Sequence, residues 1–184
     1  MRNKQSKIFL GFTLTAVAAF TFFIELNAEA RSGTFTNSRG GSGNHSVNWN
    51  GNQRTANGSY INSKGRIFNS NSNGNYDRST KIYTGNTSVT GPQGNTKNYG
   101  VQRQNLGNGA ASTTVTGPSG ISRSYSSQYS HDREANTINR QVTGPNGKTR
   151  EQTTQYSKNP DGSYSYTTNG SNGYSNSGNY VPNR

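Results

Sequence analysis

Basic side chains recur through the second half of the chain, and their chemistry is that of anion binding. Lysine and arginine attract phosphate and carboxylate groups through charge and donate hydrogen bonds to their oxygens. Six of them fall within or beside segments of alternating residues: Lys97, Arg103, Arg123, Arg140, Lys148 and Arg150. We interpret these six as a candidate binding face for acidic polymers such as extracellular DNA, acidic polysaccharide or lipopolysaccharide.

The overall charge favours the same interpretation. The chain has 19 Lys and Arg residues against 7 Asp and Glu residues. Three of the basic and two of the acidic residues lie in the first thirty positions, so residues 31–184 keep 16 and 5, a net charge of +11. Such a chain binds polyanions through non-specific electrostatics. The alternative is that the charge only keeps a Gly-, Asn- and Ser-rich chain in solution.

Tyrosine supplies a second kind of contact, because its ring is apolar and its tip is polar. All 11 tyrosines lie after residue 30. Stacked aromatic rings and Asn/Gln ladders strengthen cross-β assemblies, so the composition predicts self-association into a homo-oligomer or fibre. Seven tyrosines are candidates for this stacking: Tyr83, Tyr99, Tyr125, Tyr129, Tyr156, Tyr164 and Tyr166.

Residues suited to catalysis or metal binding are sparse. The chain has no cysteine, and its two histidines, His45 and His131, lie in a Gly/Ser-rich stretch and in the charged turn "HDRE". The acidic residues after position 30 have neither the spacing of a metal-binding loop nor that of a catalytic carboxylate pair. We therefore predict that the protein is not an enzyme and uses no cofactor or metal.

Alternation with period two predicts the elements that position the basic residues. In "ISRSYSSQY", Ile121, Arg123, Tyr125 and Tyr129 fall on one face and the intervening Ser and Gln residues on the other. Because successive strand side chains point to opposite faces, this pattern predicts strands with one aromatic, aliphatic and basic face and one small polar face.

Three related units predict where these strands reverse direction. The sequences "VTGPQGNTK", "VTGPSGISR" and "VTGPNGKTR" begin at Val89, Val115 and Val142, spaced by 26 and 27 residues. Proline fixes φ at the second turn position, and the glycines on either side permit the reversal. The predicted turn residues are Gly91, Pro92, Gly94, Gly117, Pro118, Gly120, Gly144, Pro145 and Gly147.

The fold class predicted from these signals is all-β, an antiparallel hairpin-repeat meander or solenoid-like single sheet. We place the β-hairpin repeat region at residues 81–168. Residues 31–80 are interpreted as a flexible Gly/Asn/Ser-rich segment, which leaves the N-terminal third largely disordered, and residues 169–184 as a flexible tail. Val, Ile, Leu and Phe are too scarce after residue 30 for a conventional two-layer core.

The first thirty residues have the pattern of a signal peptide. Arg2, Lys4 and Lys7 precede the apolar run Ile8 to Ile24, and "AEA" at residues 28–30 suits cleavage. We predict export to the periplasm, cell surface or extracellular space. The alternative is an uncleaved leader that anchors the chain in a membrane.

The units at residues 81–158 resemble those of uncharacterised exported proteins of Gram-negative bacteria with "TGPNG"-type repeats, and the composition resembles that of secreted functional amyloids. The resemblance implies an exported structural protein of the cell envelope or of a biofilm matrix, assembled by strand pairing and tyrosine stacking. The other function that the residues predict is polyanion binding at the surface.

Overall fold

The computed structural model describes residues 30–183, and within this range the chain forms strands and no helix. The twelve strands are β1 Ala30–Asn37, β2 Ser42–Asn50, β3 Gln53–Ile61, β4 Ile67–Asp77, β5 Ile82–Thr90, β6 Thr96–Gly107, β7 Ala110–Thr116, β8 Ser122–Asp132, β9 Thr137–Thr143, β10 Thr149–Lys158, β11 Tyr164–Gly170 and β12 Ser175–Asn183. Apart from Ala30, the predicted signal peptide lies outside the described residues. Residues 30–183 include no helix long and apolar enough to span a membrane.

The sheet closes into a barrel. Each strand pairs antiparallel with its neighbours in the chain, and β1 also pairs with β12, from Ala30 opposite Asn183 to Asn37 opposite Asn176. The predicted all-β, antiparallel class is confirmed, whereas the predicted open meander or solenoid-like sheet is wrong. An open sheet would leave two unpaired edges and its apolar face in water; closure pairs the edges and turns that face inward.

The segments predicted to be flexible are part of the barrel. Strands β1 to β4 occupy most of residues 31–80, so the predicted disordered N-terminal third is wrong. The predicted tail at residues 169–184 contains β12, which lies between β11 and β1. Large apolar residues are scarce in these segments, but backbone ladders and small inward side chains such as Ala56 and Ser72 suffice to build the wall.

The interior holds a thin core. Val89, Tyr99 and Val115 form a buried cluster against which Tyr125 packs. Two inward polar side chains satisfy one another in the buried pair of Ser72 and Thr87, whose hydroxyls are 2.7 Å apart. Burying a polar group costs little free energy when the group is hydrogen-bonded in this way, so small polar residues are compatible with the core.

The outer face is polar and nearly uncharged. In three hairpins the two strand residues next to the loop are hydrogen-bonded through their hydroxyl groups. The distance is 2.8 Å for Thr90 with Thr96 and 2.8 Å for Thr116 with Ser122. The third pair, Thr143 with Thr149, is 2.9 Å apart. The small polar face predicted from the alternation is therefore the outside of the barrel, and the aromatic and basic face is the inside.

Tyr166 gives a prediction about alkaline pH. Its hydroxyl is buried without a hydrogen-bond partner. Burial, with a smaller contribution from Tyr174, raises its pKa from 10.0 to about 12. Because the fold favours the neutral phenol, ionisation of Tyr166 destabilises the folded protein. The contribution of Tyr166 to the free energy of unfolding is therefore fully present below about pH 10 and falls by up to about 2 kcal/mol as the pH rises to about 12.

We expect Tyr166→Phe to keep or raise the free energy of unfolding at pH 7, because it removes an unpaired hydroxyl. The variant should also lose less stability than the parent between about pH 10 and pH 12. Urea unfolding at several pH values measures both. An equally steep alkaline loss in the variant would contradict the assignment to Tyr166.

Candidate anion-binding surface

Six hairpin loops of the same design lie at one end of the barrel, which we call the loop end. In each five-residue loop, the first N–H donates to the last carbonyl, as from Gly91 to Asn95 at 3.0 Å. The fourth residue is a glycine with positive φ, between 70° and 79° in all six loops. The loops are Asn37–Gly41, Asn62–Arg66, Gly91–Asn95, Gly117–Ile121, Gly144–Lys148 and Gly170–Tyr174.

The three Val-Thr-Gly-Pro units form the loops between β5 and β6, β7 and β8, and β9 and β10. Pro92, Pro118 and Pro145 are the second loop residues, where no N–H is required. Each unit also determines which pair of inward-facing residues lies just below its loop. The Val and the final Lys or Arg are direct cross-strand partners that face inward: Val89 with Lys97, Val115 with Arg123, and Val142 with Arg150.

This register places three cations at equivalent positions beneath consecutive loops. Lys97, Arg123 and Arg150 are each the second residue of β6, β8 or β10, and thus lie on every second strand of one sector. Neighbouring strands are about 4.8 Å apart, so the backbone positions of these residues on alternate strands are about 10 Å apart. Arg123 and Arg150 are exposed and Lys97 is partly buried, so all three can reach the barrel mouth, with their aliphatic stems beside valine.

The loops add further cations to the same end. Arg39, Lys64, Arg66 and Lys148 are exposed loop residues there. Arg39 lies over the ring of Tyr174, 5.7 Å from its centroid. We define the basic rim as these four loop residues together with the three strand residues: Arg39, Lys64, Arg66, Lys97, Arg123, Lys148 and Arg150.

Acidic residues collect at the opposite end. Of the five in the described part of the chain, four lie in or beside the loops there: Asp77, Asp132, Glu134 and Asp161. The fifth, Glu151, is on the outer face and accepts a hydrogen bond from Gln141 at 2.9 Å. The exposed cations at that end are Arg78, Lys81 and Arg133 in the loops and Lys158 at the end of β10, equal in number to these four acids, whereas the loop end has seven basic residues.

The acids of the opposite end are engaged in their own turns. The Asp77 carboxylate accepts hydrogen bonds from the Ser79 hydroxyl at 2.6 Å and the Ser79 N–H at 2.8 Å, and these bonds together with Thr80 lower its pKa to about 2. The hydroxyl and N–H of Ser163 lower the pKa of Asp161 in the same way. These carboxylates stay charged and stay at their own end, away from the basic rim.

Arg103 and Arg140 share the inward face with the rim cations but lie deeper. Arg103 pairs with Tyr83 and Thr113, donates a hydrogen bond to the Thr113 hydroxyl at 3.4 Å, and has its pKa lowered by burial. Arg140 pairs with Tyr129 and Gln152 near the middle of the wall. The structure thus brings together four of the six predicted cations and separates these two.

The seven tyrosines predicted to stack also face the interior. Tyr83 and Tyr99 are buried, and the other five are partly buried. Stacking occurs inside the barrel, where the rings of Tyr156 and Tyr164 are 6.4 Å apart and those of Tyr164 and Tyr180 lie parallel at 4.9 Å. In the closed barrel these rings pack against the wall and each other.

A shallow depression of about 700 Å³ crosses the outside of the closing seam between β11 and β3. Its walls are hydroxyl and amide side chains such as Thr34, Asn44 and Asn179, with no charged residue. Residues 30–183 also contain no group of three His, Asp or Glu side chains able to hold a metal ion.

Three rim residues, Arg39, Lys64 and Arg66, were not among the sequence candidates. Their loops, "NSRGG" and "NSKGR", replace Gly-Pro by Asn-Ser but keep the glycine at the fourth position. The Asn62 side chain accepts hydrogen bonds from the N–H groups of Lys64 and Arg66, so asparagine stabilises the turn that proline stabilises elsewhere. The repeated Gly at the fourth position was the sequence signal that could have identified these loops.

No protein-family model, curated protein or solved structure matches this chain.

Proposed function

We propose that the protein binds an extended acidic polymer across the basic rim. The observation that carries the proposal is the repeated placement of Lys97, Arg123 and Arg150 beneath three consecutive loops, opposite the valine of the same unit. The segregation of four of the five described acids to the other end supports it, since a surface of one sign attracts and orients a polyanion.

The spacing favours a polymer over a small anion at the rim. A single phosphate or carboxylate contacts donors within about 3 Å, whereas the backbone positions of Lys97, Arg123 and Arg150 are about 10 Å apart on alternate strands. Several charges on one chain are needed to contact several of these cations at once. Extracellular nucleic acid and acidic polysaccharide both have this property.

The experiment is a salt titration of binding. We expect the purified protein to bind a fluorescent single-stranded oligonucleotide and a fluorescent polygalacturonate, with log K falling by about 0.7 per neutralised phosphate for each unit of log salt for the oligonucleotide. Fluorescence anisotropy from low to high salt gives this slope. Affinity that does not change with salt, or no binding to either polymer at low salt, would overturn the proposal.

A role as an exported structural component of the envelope or matrix stays a prediction, and polymer binding is compatible with it. The closed barrel pairs both edges of every described strand, so backbone self-association requires a contact other than a free edge or an opening of the barrel. We expect the closed protein to be monomeric until an acidic polymer brings copies together.

A further inference from the structure

Arg54 is a buried cation that the polymer-binding proposal does not use. It is the second residue of β3, just inside the two-residue turn between β2 and β3, at the end of the barrel opposite the basic rim. Its side chain faces inward and only 2% of it is exposed. Its Nε and Nη2 atoms are buried and have no hydrogen-bond partner among the described residues.

No carboxylate of the described chain neutralises this charge, because all five acidic residues are exposed on loops or on the outer face. The direct cross-strand partners of Arg54 are Trp49 and Gly74. Tyr83, itself 3% exposed, lies over Gly74 so closely that a Cβ at that position would overlap its ring and hydroxyl. The register thus places an indole and a glycine beside Arg54, with a phenol over that glycine, and none of these groups is anionic.

An unpaired charge in such surroundings is costly. The two unpartnered atoms also define the shape of the missing partner. Nε–H and the Nη2 hydrogens form one edge of the guanidinium, the planar fork that fits two oxygens of a carboxylate or a phosphate. An unsatisfied buried group requires an explanation, and a bound ion or water is one of the recognised explanations.

We propose that Arg54 is the base of an internal site for one small oxyanion, held through two parallel hydrogen bonds to this fork. The ligand is a phosphate or a carboxylate bound from the opposite end of the barrel. The site is separate from the basic rim in position and differs in chemistry, since one fork grips one anion whereas the rim spans several charges.

The test measures the melting temperature of the purified full chain with phosphate, acetate or chloride at constant ionic strength. We expect phosphate or acetate to raise it saturably by about 3 °C or more relative to chloride, and the comparison of the two identifies the oxyanion. Arg54→Met and Arg54→Lys, which keeps the charge but lacks the fork, should both lose this increase. An equal increase in either variant, or none in the parent, would overturn the proposal.

Two further measurements separate this site from the rim and from misfolding. A variant with Lys97→Gln, Arg123→Gln and Arg150→Gln should keep the full oxyanion effect although its polymer binding falls, so the two proposals fail independently. In the parent protein, the Nε–H resonance of Arg54 should shift saturably with phosphate or acetate. A resonance that is unchanged by both would indicate a water-filled site and would also overturn the proposal, even if the Arg54 variants do not fold.

Discussion

Replacing Lys97, Arg123 and Arg150 together by glutamine is expected to remove most of the affinity for acidic polymers. The three side chains lie beneath consecutive loops on one sector of the rim, so an extended polymer would contact all of them. If each neutralises one phosphate of a single strand, the slope of log K against log salt becomes shallower by about 2, which corresponds to a loss of about 500-fold at about 50 mM salt.

The matched control changes the same number of charges at the other end. Arg78→Gln, Arg133→Gln and Lys158→Gln alter exposed residues of the opposite-end loops and adjoining strand. This variant should change the slope by less than 1, because it affects only the long-range field. Anisotropy titrations of both variants at several salt concentrations distinguish binding by the basic rim from an effect of net charge. Equal losses in the two variants would show that net charge alone, and not the rim, determines binding.

Removing β12 by ending the chain at Gly170 is expected to abolish the stable monomer. The truncation deletes both ladders of the closing strand and the parallel stack of Tyr164 on Tyr180. It leaves β1 and β11 as long unpaired edges, which recruit strands from other chains. Because a domain of this size is stable by only about 5–15 kcal/mol, the loss of two ladders should exceed what the remaining sheet can supply.

Light scattering and chromatography of the truncated chain should show oligomers or fibres, with a thioflavin response that the parent lacks. The control is a chain that ends at Val181, which keeps most of β12 and should remain a monomer. A truncated protein that stays monomeric and unfolds with the parent's midpoint would contradict the role given to closure. The predicted self-association would then need another origin.

The sequence predicted local structure well where large or β-branched residues alternate. In β8 the alternation of Arg123 and Tyr125 with serine matches one inward and one outward face. In β3 and β4 the central inward positions are small, as at Ala56, Ser70 and Ser72, so the same period-two pattern shows little contrast in hydrophobicity there. Those strands were missed for that reason.

Closure could not be predicted from the sequence. The closing ladder joins residues about as far apart as the chain allows, such as Gly33 and Tyr180, and no local pattern specifies such a pair. Closure also determines where the basic residues of the inward face lie. On an open sheet Arg103 and Arg123 would share one surface, whereas in a barrel the first lies deep inside and the second at the mouth.

Disulfide cross-linking across the closing seam tests the barrel most directly, because the parent chain has no cysteine. Ser32 and Val181 are direct partners in the β1–β12 ladder, and paired Cα atoms stand about 4.5–5.5 Å apart, within the range of a disulfide. Ser112, on the outer face of β7 across the barrel, supplies the control.

Under mild oxidation, the Ser32→Cys, Val181→Cys protein should form an internal disulfide rapidly and migrate faster on a non-reducing gel. The Ser32→Cys, Ser112→Cys protein should keep both thiols free as a monomer. If the first pair stays reduced, or cross-links only between molecules, then β1 and β12 do not meet, and the barrel with its rim and its internal site is contradicted.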